Sequence, residues 1–502
     1  MYGNTMYTNF PANLLEMRLT LKKHLVLLGS LFAFGSSSGQ DNHYAWMQYG
    51  ARNSLLYNAG LSRFEDQSAV IMNPATLSQA TNSSFNFNTN AFGFNYVNFK
   101  NGLGQGFDLV SSNISVLPSM ASGVLKPKRN ERDWVLGYAL YHSATDALNF
   151  TDRAEQKIDL IPEAESPGTE NYLSQYQLNY DLDEASIVAG LGWNISDKVA
   201  LGFSQTFVYR GYDLTDKFTA NVVPDLNTGS TVDLVSTDYD VFLKYWKIMT
   251  YSKIGVQARA GTWEFGITLT TPSLGIMGGG EMNADLRLVN VNLDDDPSTP
   301  RRDYLANGRY EKLKVKFKTP WSLAMGATRR FNKVRIYGGL NLFTSIGEYK
   351  IMDPGETAFI QPPSSDNVFA TSQLLAVWES RRTVVNGSIA ADWSIKNGYH
   401  FLASLRSDQQ YNSRTGRDEG INLPKKNWDN YHLTFGGQKE FKSSEWFLGL
   451  RWNYGRNGNF PQPFSFEDPS EDNFLQGERE TGTLTSTGVQ LLLSYTFKFA
   501  NR

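Results

Sequence analysis

"GVQLLLSYTFKF" occupies residues 488–499. Val489, Leu491, Leu493, Tyr495, Phe497 and Phe499 fall at every second position, with Gly488, Gln490, Ser494, Thr496 and Lys498 on the opposite parity. A period of two marks a β-strand whose faces meet different surroundings. The same alternation recurs upstream. Trp446, Leu448, Leu450, Trp452 and Tyr454 oppose Glu445, Gly449, Arg451 and Asn453; Val385, Ile389, Ala391, Trp393 and Ile395 oppose Asn386, Ser388, Asp392 and Ser394. A soluble sandwich also alternates, so this pattern establishes an all-β chain and leaves its solvent open.

The connections decide between them. Short polar turns fall near residues 127–133, 196–198, 261, 332–333, 396–398 and 442–444. Between them lie long polar stretches near 100–112, 143–171, 212–237, 275–308, 345–373, 407–426 and 455–483. Short turns alternating with long loops predict about fourteen strands with both ends on the short-turn side, the pattern of a transmembrane antiparallel β-barrel. Trp134, Trp193, Trp263, Trp393 and Trp446 each lie close to a short turn on the apolar face, as do Phe331, Tyr399 and Phe441. Rings gathered at one rim belong at a membrane–water interface. The barrel is expected over residues 82–502.

Composition agrees. The chain has 502 residues, 25 Tyr, 31 Phe, 11 Trp, no cysteine and a net charge of -3. A near-neutral balance gives no basic stripe for nucleic acid. Without cysteine there are no disulfides, thiolate metal sites or cysteine nucleophiles. Arg18, Lys22 and Lys23 precede a short apolar run, Leu25 to Phe34, and then "GSSSGQ". That order reads as an export signal over residues 1–39, with Met17 a second candidate start and Gln40 the first mature residue. The run is too short to span a bilayer as a helix.

Residues 40–81 do not alternate and precede the first strand. They contain "AVIMNPATLS" (69–78), with the triplet Asn73, Pro74, Ala75. Helical water channels carry such a triplet, but the sequence has no run of the roughly 18 apolar residues that a spanning helix needs. Proline fixes its own φ and biases Asn73 towards an extended backbone, leaving the Asn73 amide free to bond nearby backbone. A tight turn before the first strand is the plainer reading.

The ordered set Gly60-Leu61-x-Arg63, Asp66-x-Ser68 and Asn73-Pro74-Ala75, followed by the strand "SSFNFNTNAFGFNYVNF", resembles the N-terminal plug of FadL-like outer-membrane transporters. These carry long-chain fatty acids and other hydrophobic compounds. "VAGLGWNISDKVALGFSQ" (188–205), "FGITLTTPSLGIMGGG" and "TPWSLAMGATRRF" are similar to later strands of that family. The resemblance implies a monomeric fourteen-stranded barrel closed by a plug, in the outer membrane of a Gram-negative-type bacterium. It further implies passive, ligand-gated passage of a hydrophobic small molecule and sideways release through the wall. Asn73, Pro74 and Ala75 would be the plug motif, with Gly60, Arg63 and Asp66 supporting it. The chain departs from the family by ending in Arg502 rather than an aromatic residue and by its long acidic outer loops.

On the lumen face, Gly190, Gly192, Gly202, Gly266 and Gly326 leave room for a plug, and Arg335, Asp392, Arg406, Glu440, Arg451 and Lys498 are candidates to hold it by ion pairs. Val208, Phe343, Phe447 and Leu492 are candidates for a greasy substrate path, or equally for packing against the plug. Catalysis finds little support. His142 and Ser143 are adjacent and so point to opposite faces of a strand, while position 144 is Ala. His24 lies in the leader, and His400 and His432 fall on polar faces. No metal spacing, phosphate loop or nucleophile elbow occurs, so neither metal nor cofactor is expected. The acidic stretch Asp294 to Asp303 is a solvated loop before it is a cation site. The expected partners are a hydrophobic small molecule and membrane lipid, with no nucleic acid. A FadL-related barrel that docks or shuttles secreted proteins is the alternative; a general diffusion porin is disfavoured, because a plug would block water flow.

Overall fold

A computed structural model describes residues 43–44, 49–57, 59–127, 134–225, 227, 229–293, 299–355, 375–413, 421–423 and 427–499. The export signal, Gln40, the first half of the acidic stretch, most of the 127–133 turn and Arg502 lie outside them.

Residues before the first strand form two short helices, α1 (Arg52–Leu56) and α2 (Ala69–Met72), and a 3-10 turn, Pro74–Gln79. The strands follow: β1 (Ser84–Lys100), β2 (Leu109–Leu125), β3 (Trp134–Ile158), β4 (Glu170–Asn194), β5 (Val199–Val223), β6 (Val235–Ala260), β7 (Trp263–Thr270), β8 (Leu274–Val291), β9 (Arg302–Leu313) and β10 (Ser322–Phe331). Then come β11 (Val334–Phe343), β12 (Ile346–Met352), β13 (Val377–Arg381), β14 (Val384–Ser394), β15 (Tyr399–Asp408), β16 (Ile421–Asn422), β17 (Asp429–Glu440), β18 (Ser444–Pro461) and β19 (Thr481–Lys498).

Fourteen of these close an antiparallel ring, in the order β1, β2, β3, β4, β5, β6, β7, β10, β11, β14, β15, β17, β18, β19. β19 returns to β1 from Ser84↔Lys498 to Lys100↔Thr483, and β5 and β6 pair along their whole length. No edge strand remains unpaired in the ring, which is how a barrel satisfies its backbone without water. β8 and β9 extend β7 and β10 upward, while β12, β13 and β16 form a small separate sheet.

The long strands β3 to β6 change character halfway up. On lower β5 the outward residues are Leu201, Phe203 and Phe207, and the inward ones Gly202, Ser204 and Thr206. On upper β5 the inward residues are Tyr212, Leu214, Phe218 and Val222, and the outward ones Asp213, Thr215 and Lys217. The parity is unbroken while the chemistry inverts. The lower exterior is therefore an apolar belt, rimmed by exposed Trp193, Trp263, Trp393 and Trp446, which suits it to lipid. Above it the barrel is a water-facing tube with an apolar interior.

This inversion corrects the expected loop lengths. The polar stretches near 143–171, 212–237 and 275–308 are largely strand, because their outward polar residues alternate with inward Leu148, Phe150, Tyr172, Val222 and Leu286. The strand count stands as read, as do the short turns near 196–198, 261, 332–333, 396–398 and 442–444. The segment after β18 folds into the upper tube. Phe464 stacks on Phe218 with centroids 4.5 Å apart and planes 3° apart, and Tyr172 donates its hydroxyl hydrogen to the Leu475 carbonyl at 2.8 Å. Phe460, Phe466, Phe474 and Leu475 join the same buried cluster. The tube is filled from above.

Candidate functional site

The site is a cavity between this upper core and the N-terminal segment. That segment occupies the lumen, and its placement starts from Asp66. The buried Asp66 carboxylate accepts hydrogen bonds from the backbone amides of Arg52 (2.7 Å), Asn53 (2.8 Å) and Ser68 (2.8 Å), and from the Ser68 hydroxyl (2.5 Å). It thereby ties the start of α1 to the start of α2, filling donors that a helix start leaves unsatisfied. Burial pushes the Asp66 carboxyl above its ordinary value, and these hydrogen bonds pull in the other direction. Gly60 is needed next to it, since a Cβ there would collide with the Asn53 side chain.

Asn73 is extended, at φ -149° and ψ 100°, as the following proline requires. Its Nδ2 donates to the carbonyls of Leu61 (2.8 Å) and Val256 (3.1 Å), and its Oδ1 accepts from the Ala75 amide (3.1 Å). Pro74 and Ala75 press against the wall. A Cβ on Gly202 would collide with Pro74 and Ala75 backbone, one on Gly192 with Pro74 backbone and Leu77, and one on Gly255 with the Asn73 side chain. Leu61 meets Gly266 and Gly326 in the same way. Four of the five glycines read as making room thus lie under the segment; Gly190 instead faces Ser204.

Ion pairs add to this contact. The Arg52 guanidinium binds Asp392 of β14, the Gln438 side chain (2.5 Å) and Glu65 (2.6 Å), and Tyr337 donates to Glu65 at 2.9 Å. Burial alone would lower the Arg52 pKa, but Glu65, Tyr337 and Asp392 hold it above the ordinary value. Arg63 pairs with Glu65 (3.0 Å) and Glu264 (3.3 Å). Arg335 joins Asp392 at 3.1 Å, and the Arg406 guanidinium lies 5.3 Å over the Tyr57 ring. Burial pushes the Tyr57 hydroxyl up to about 12. Arg451 is buried. Glu440 and Lys498 pair with each other at 2.7 Å beside a turn.

Above the segment is a cavity of about 210 Å³. Its floor includes Tyr49 and Ile71, and its walls carry Tyr44, Tyr141, Tyr251, Phe317, Phe343 and Tyr411. Three cations border it, each already engaged. Arg210 binds Glu184 and lies 4.2 Å over the Phe317 ring. Arg381 pairs with Glu379 at 3.2 Å and lies 4.2 Å over the Tyr411 ring, and Lys253 donates to the Ile71 carbonyl at 2.6 Å. An aromatic-lined cavity whose bordering cations are already engaged suits a compact apolar molecule.

Of the four path candidates, Phe343 lines the cavity and stacks on Tyr44 at 4.0 Å. Phe447 and Leu492 instead pack with Leu55, Leu56 and Ala59 of the N-terminal segment, and Val208 belongs to the upper core. Arg210, Phe317 and Arg381 were not singled out in the sequence; Arg210 lies just before the stretch near 212–237 that reads as a loop. His142 lies 3.2 Å from Asp183, His400 2.9 Å from Asp392, and His432 3.5 Å from Asp408. The Asp303 carboxylate accepts from the Asn290 amide at 2.8 Å.

No family model matches the sequence, and no curated protein does. Solved structures do resemble it. A FadL homologue of Pseudomonas aeruginosa superposes with a TM-score of 0.51 at 12% identity, over 93% of this chain and 100% of that one. The toluene transporter TodX of P. putida gives 0.52 at 16% identity, over 91% and 99%. The toluene transporter TbuX of Ralstonia pickettii gives 0.50 at 11%, over 90% and 99%. At these identities the likeness is one of fold: the chain has the FadL-like barrel fold.

Proposed function

We propose that this FadL-like barrel takes up small hydrophobic molecules across a bacterial outer membrane, passively and without a cofactor, acting as a monomer. The observation that carries this reading is the aromatic-lined cavity between the upper core and the lumen segment. Burial of apolar area drives an apolar solute into such a space, at about 25 cal/mol per Å². A cavity of about 210 Å³ favours a compact solute over a fully enclosed long chain.

The segment over residues 40–81 acts as the plug, with Asn73, Pro74 and Ala75 as its anchor and Gly60, Arg63 and Asp66 as its support. Straight passage is blocked while the plug is seated, so release is sideways. β2 pairs with β3 only from Met120↔Tyr141 to Leu125↔Leu136, and above that β3 bulges between His142 and Ala144. Tyr141, Ser143 and Ala144 line the cavity where the two strands part, and Tyr49 donates to the Ser143 carbonyl at 2.9 Å.

Mass spectrometry of the purified protein tests the reading together with uptake into proteoliposomes. Copurifying apolar molecules and saturable uptake support it. A large ion conductance in planar bilayers would overturn the plugged barrel, and a stable complex with a secreted protein in place of uptake would favour a docking role.

A further inference from the structure

The wall has a second break, far round the ring from β2 and β3. β7 and β8 form one path interrupted at Thr271-Pro272-Ser273, and β9 and β10 another interrupted over residues 314–321, which include Pro320. Each interruption carries a proline, which cannot donate to a ladder. Below the break the last pair is Ser322↔Thr270; above it the first is Gly280↔Leu313. Between them, among the described residues, Ser273 and Thr319 exchange two amide-to-hydroxyl bonds of 2.9 and 3.1 Å. Residues 274–279 make no ladder with 314–318.

The 314–321 segment bonds to its other side, with the Lys316 amide donating to the Ile351 carbonyl at 2.8 Å. It leans inward, which brings the buried Phe317 ring beneath Arg210. One side chain fills the slit that results. Lys247 of β6 runs along Gly275 and Gly278, where an added Cβ would meet its chain at 2.8 Å, and its Nζ donates to the Val315 carbonyl at 2.8 Å.

The slit faces the cavity on one side and lipid on the other. Thr270, Phe317, Thr319, Pro320 and Ser322 all line the cavity. On the outside, Leu274 is 71% exposed, Ile276 50%, Met277 53% and Trp321 47%, beside exposed Lys316 and Lys318. Apolar residues mixed with tryptophan and lysine mark the depth where acyl chains meet headgroups. From above, the cavity is covered by the packed core around Phe464.

We propose that this slit is a side portal through which apolar solutes dissolved in the outer leaflet enter the cavity, with Lys247 as its latch. The latch is held by one bond to a neutral carbonyl, and the glycines beside it leave space for the lysine chain to swing. The inference rests on the cavity being an apolar site, and it gives that site an entrance distinct from the β2–β3 exit.

The chain contains no cysteine, so single reporters are clean. Ser322→Cys and Thr270→Cys, one on each inner lip, are made in the full chain and reconstituted into phosphatidylethanolamine–phosphatidylglycerol vesicles. Each is treated with pyrene maleimide, which partitions into lipid, or with a sulfonated, membrane-impermeant maleimide. The expected result is labelling at least tenfold faster by the lipid-borne reagent, accelerated severalfold by Lys247→Ala and slowed by Gly278→Leu. Equal rates with both reagents, no labelling by either, or rates unmoved by both second substitutions would overturn the portal. Labelling does not depend on transport: a wild type that labels as expected but takes up no solute would sink the uptake reading alone.

Discussion

The side-chain amide of Asn73 donates to the Leu61 carbonyl at 2.8 Å, joining two of the points at which the lumen segment touches glycine in the barrel wall. Leu61 lies on Gly266 and Gly326; the residues after Asn73 lie on Gly192 and Gly202. One side chain therefore fixes the spacing between two footholds. Its second donor hydrogen goes to Val256 of the wall itself.

Asn73→Ala removes both of these bonds and leaves two carbonyls facing an apolar side chain. Leaving buried polar groups unsatisfied costs about 1–3 kcal/mol each. The barrel, which closes without this residue, is expected to insert and keep its heat-modifiable migration on gels. Uptake of an apolar solute is expected to fall severalfold, and protease protection of residues 49–81 to weaken. Unchanged uptake together with unchanged protection would leave the triplet as a turn before β1.

Gly202→Val tests the foothold from the wall side. A Cβ there collides with backbone atoms of Pro74 and Ala75, which cannot rotate away as a side chain would. Expulsion of the plug is expected, read as a large rise in single-channel conductance. Gly338→Ala is the control, because a Cβ at Gly338 meets nothing within 4 Å. Equal conductance in the two variants would contradict close packing of plug on wall.

The lower half of the molecule was legible from its sequence and the upper half was not. In the lower half, outward Val489, Leu491 and Leu493 alternate with inward Gln490 and Ser494, and short turns punctuate the pattern. In the upper half, inward Tyr212, Leu214, Phe218 and Val222 keep the same parity, but the residues between them include Asp213, Thr215, Lys217 and Asn221. Read without knowledge of solvent, such a stretch is a polar loop, because the alternation marks two faces and does not say which one meets water. The cavity residue Arg210 sits at the edge of that blind region, just before the stretch near 212–237. Phe447 and Leu492 had two readings that only the position of Leu55 could separate.

Arg52 and Asp392 form a buried pair between plug and wall. Arg52→Ala leaves Asp392 and Glu65 without their shared cation, and breaking a buried pair by removing one partner costs about 3–5 kcal/mol. Arg52→Ala/Asp392→Ala is expected to cost less than the sum of its single variants, since neither charge is then stranded. Urea unfolding of the refolded barrel, followed by tryptophan fluorescence, measures the cycle. Strict additivity would mean that the two side chains do not couple.

Phe464→Ala addresses the cover over the cavity. Phe464 is buried and stacks on Phe218 while also touching Tyr176 and Tyr239. Truncating such a residue costs about 3–5 kcal/mol when the surroundings cannot collapse. The rigid strands β4, β5 and β6 on which the other rings are mounted prevent collapse, so the void stays open. The loss falls on the segment after β18, held in the tube by these same rings and by the Tyr172 bond to Leu475. Loosening it opens the axial way down to the cavity. A water-soluble maleimide that reaches Ser322→Cys slowly in the otherwise native chain is therefore expected to reach it at least severalfold faster when Phe464→Ala is added. If the rate stays the same, the packed core around Phe464 is not what closes the barrel from above.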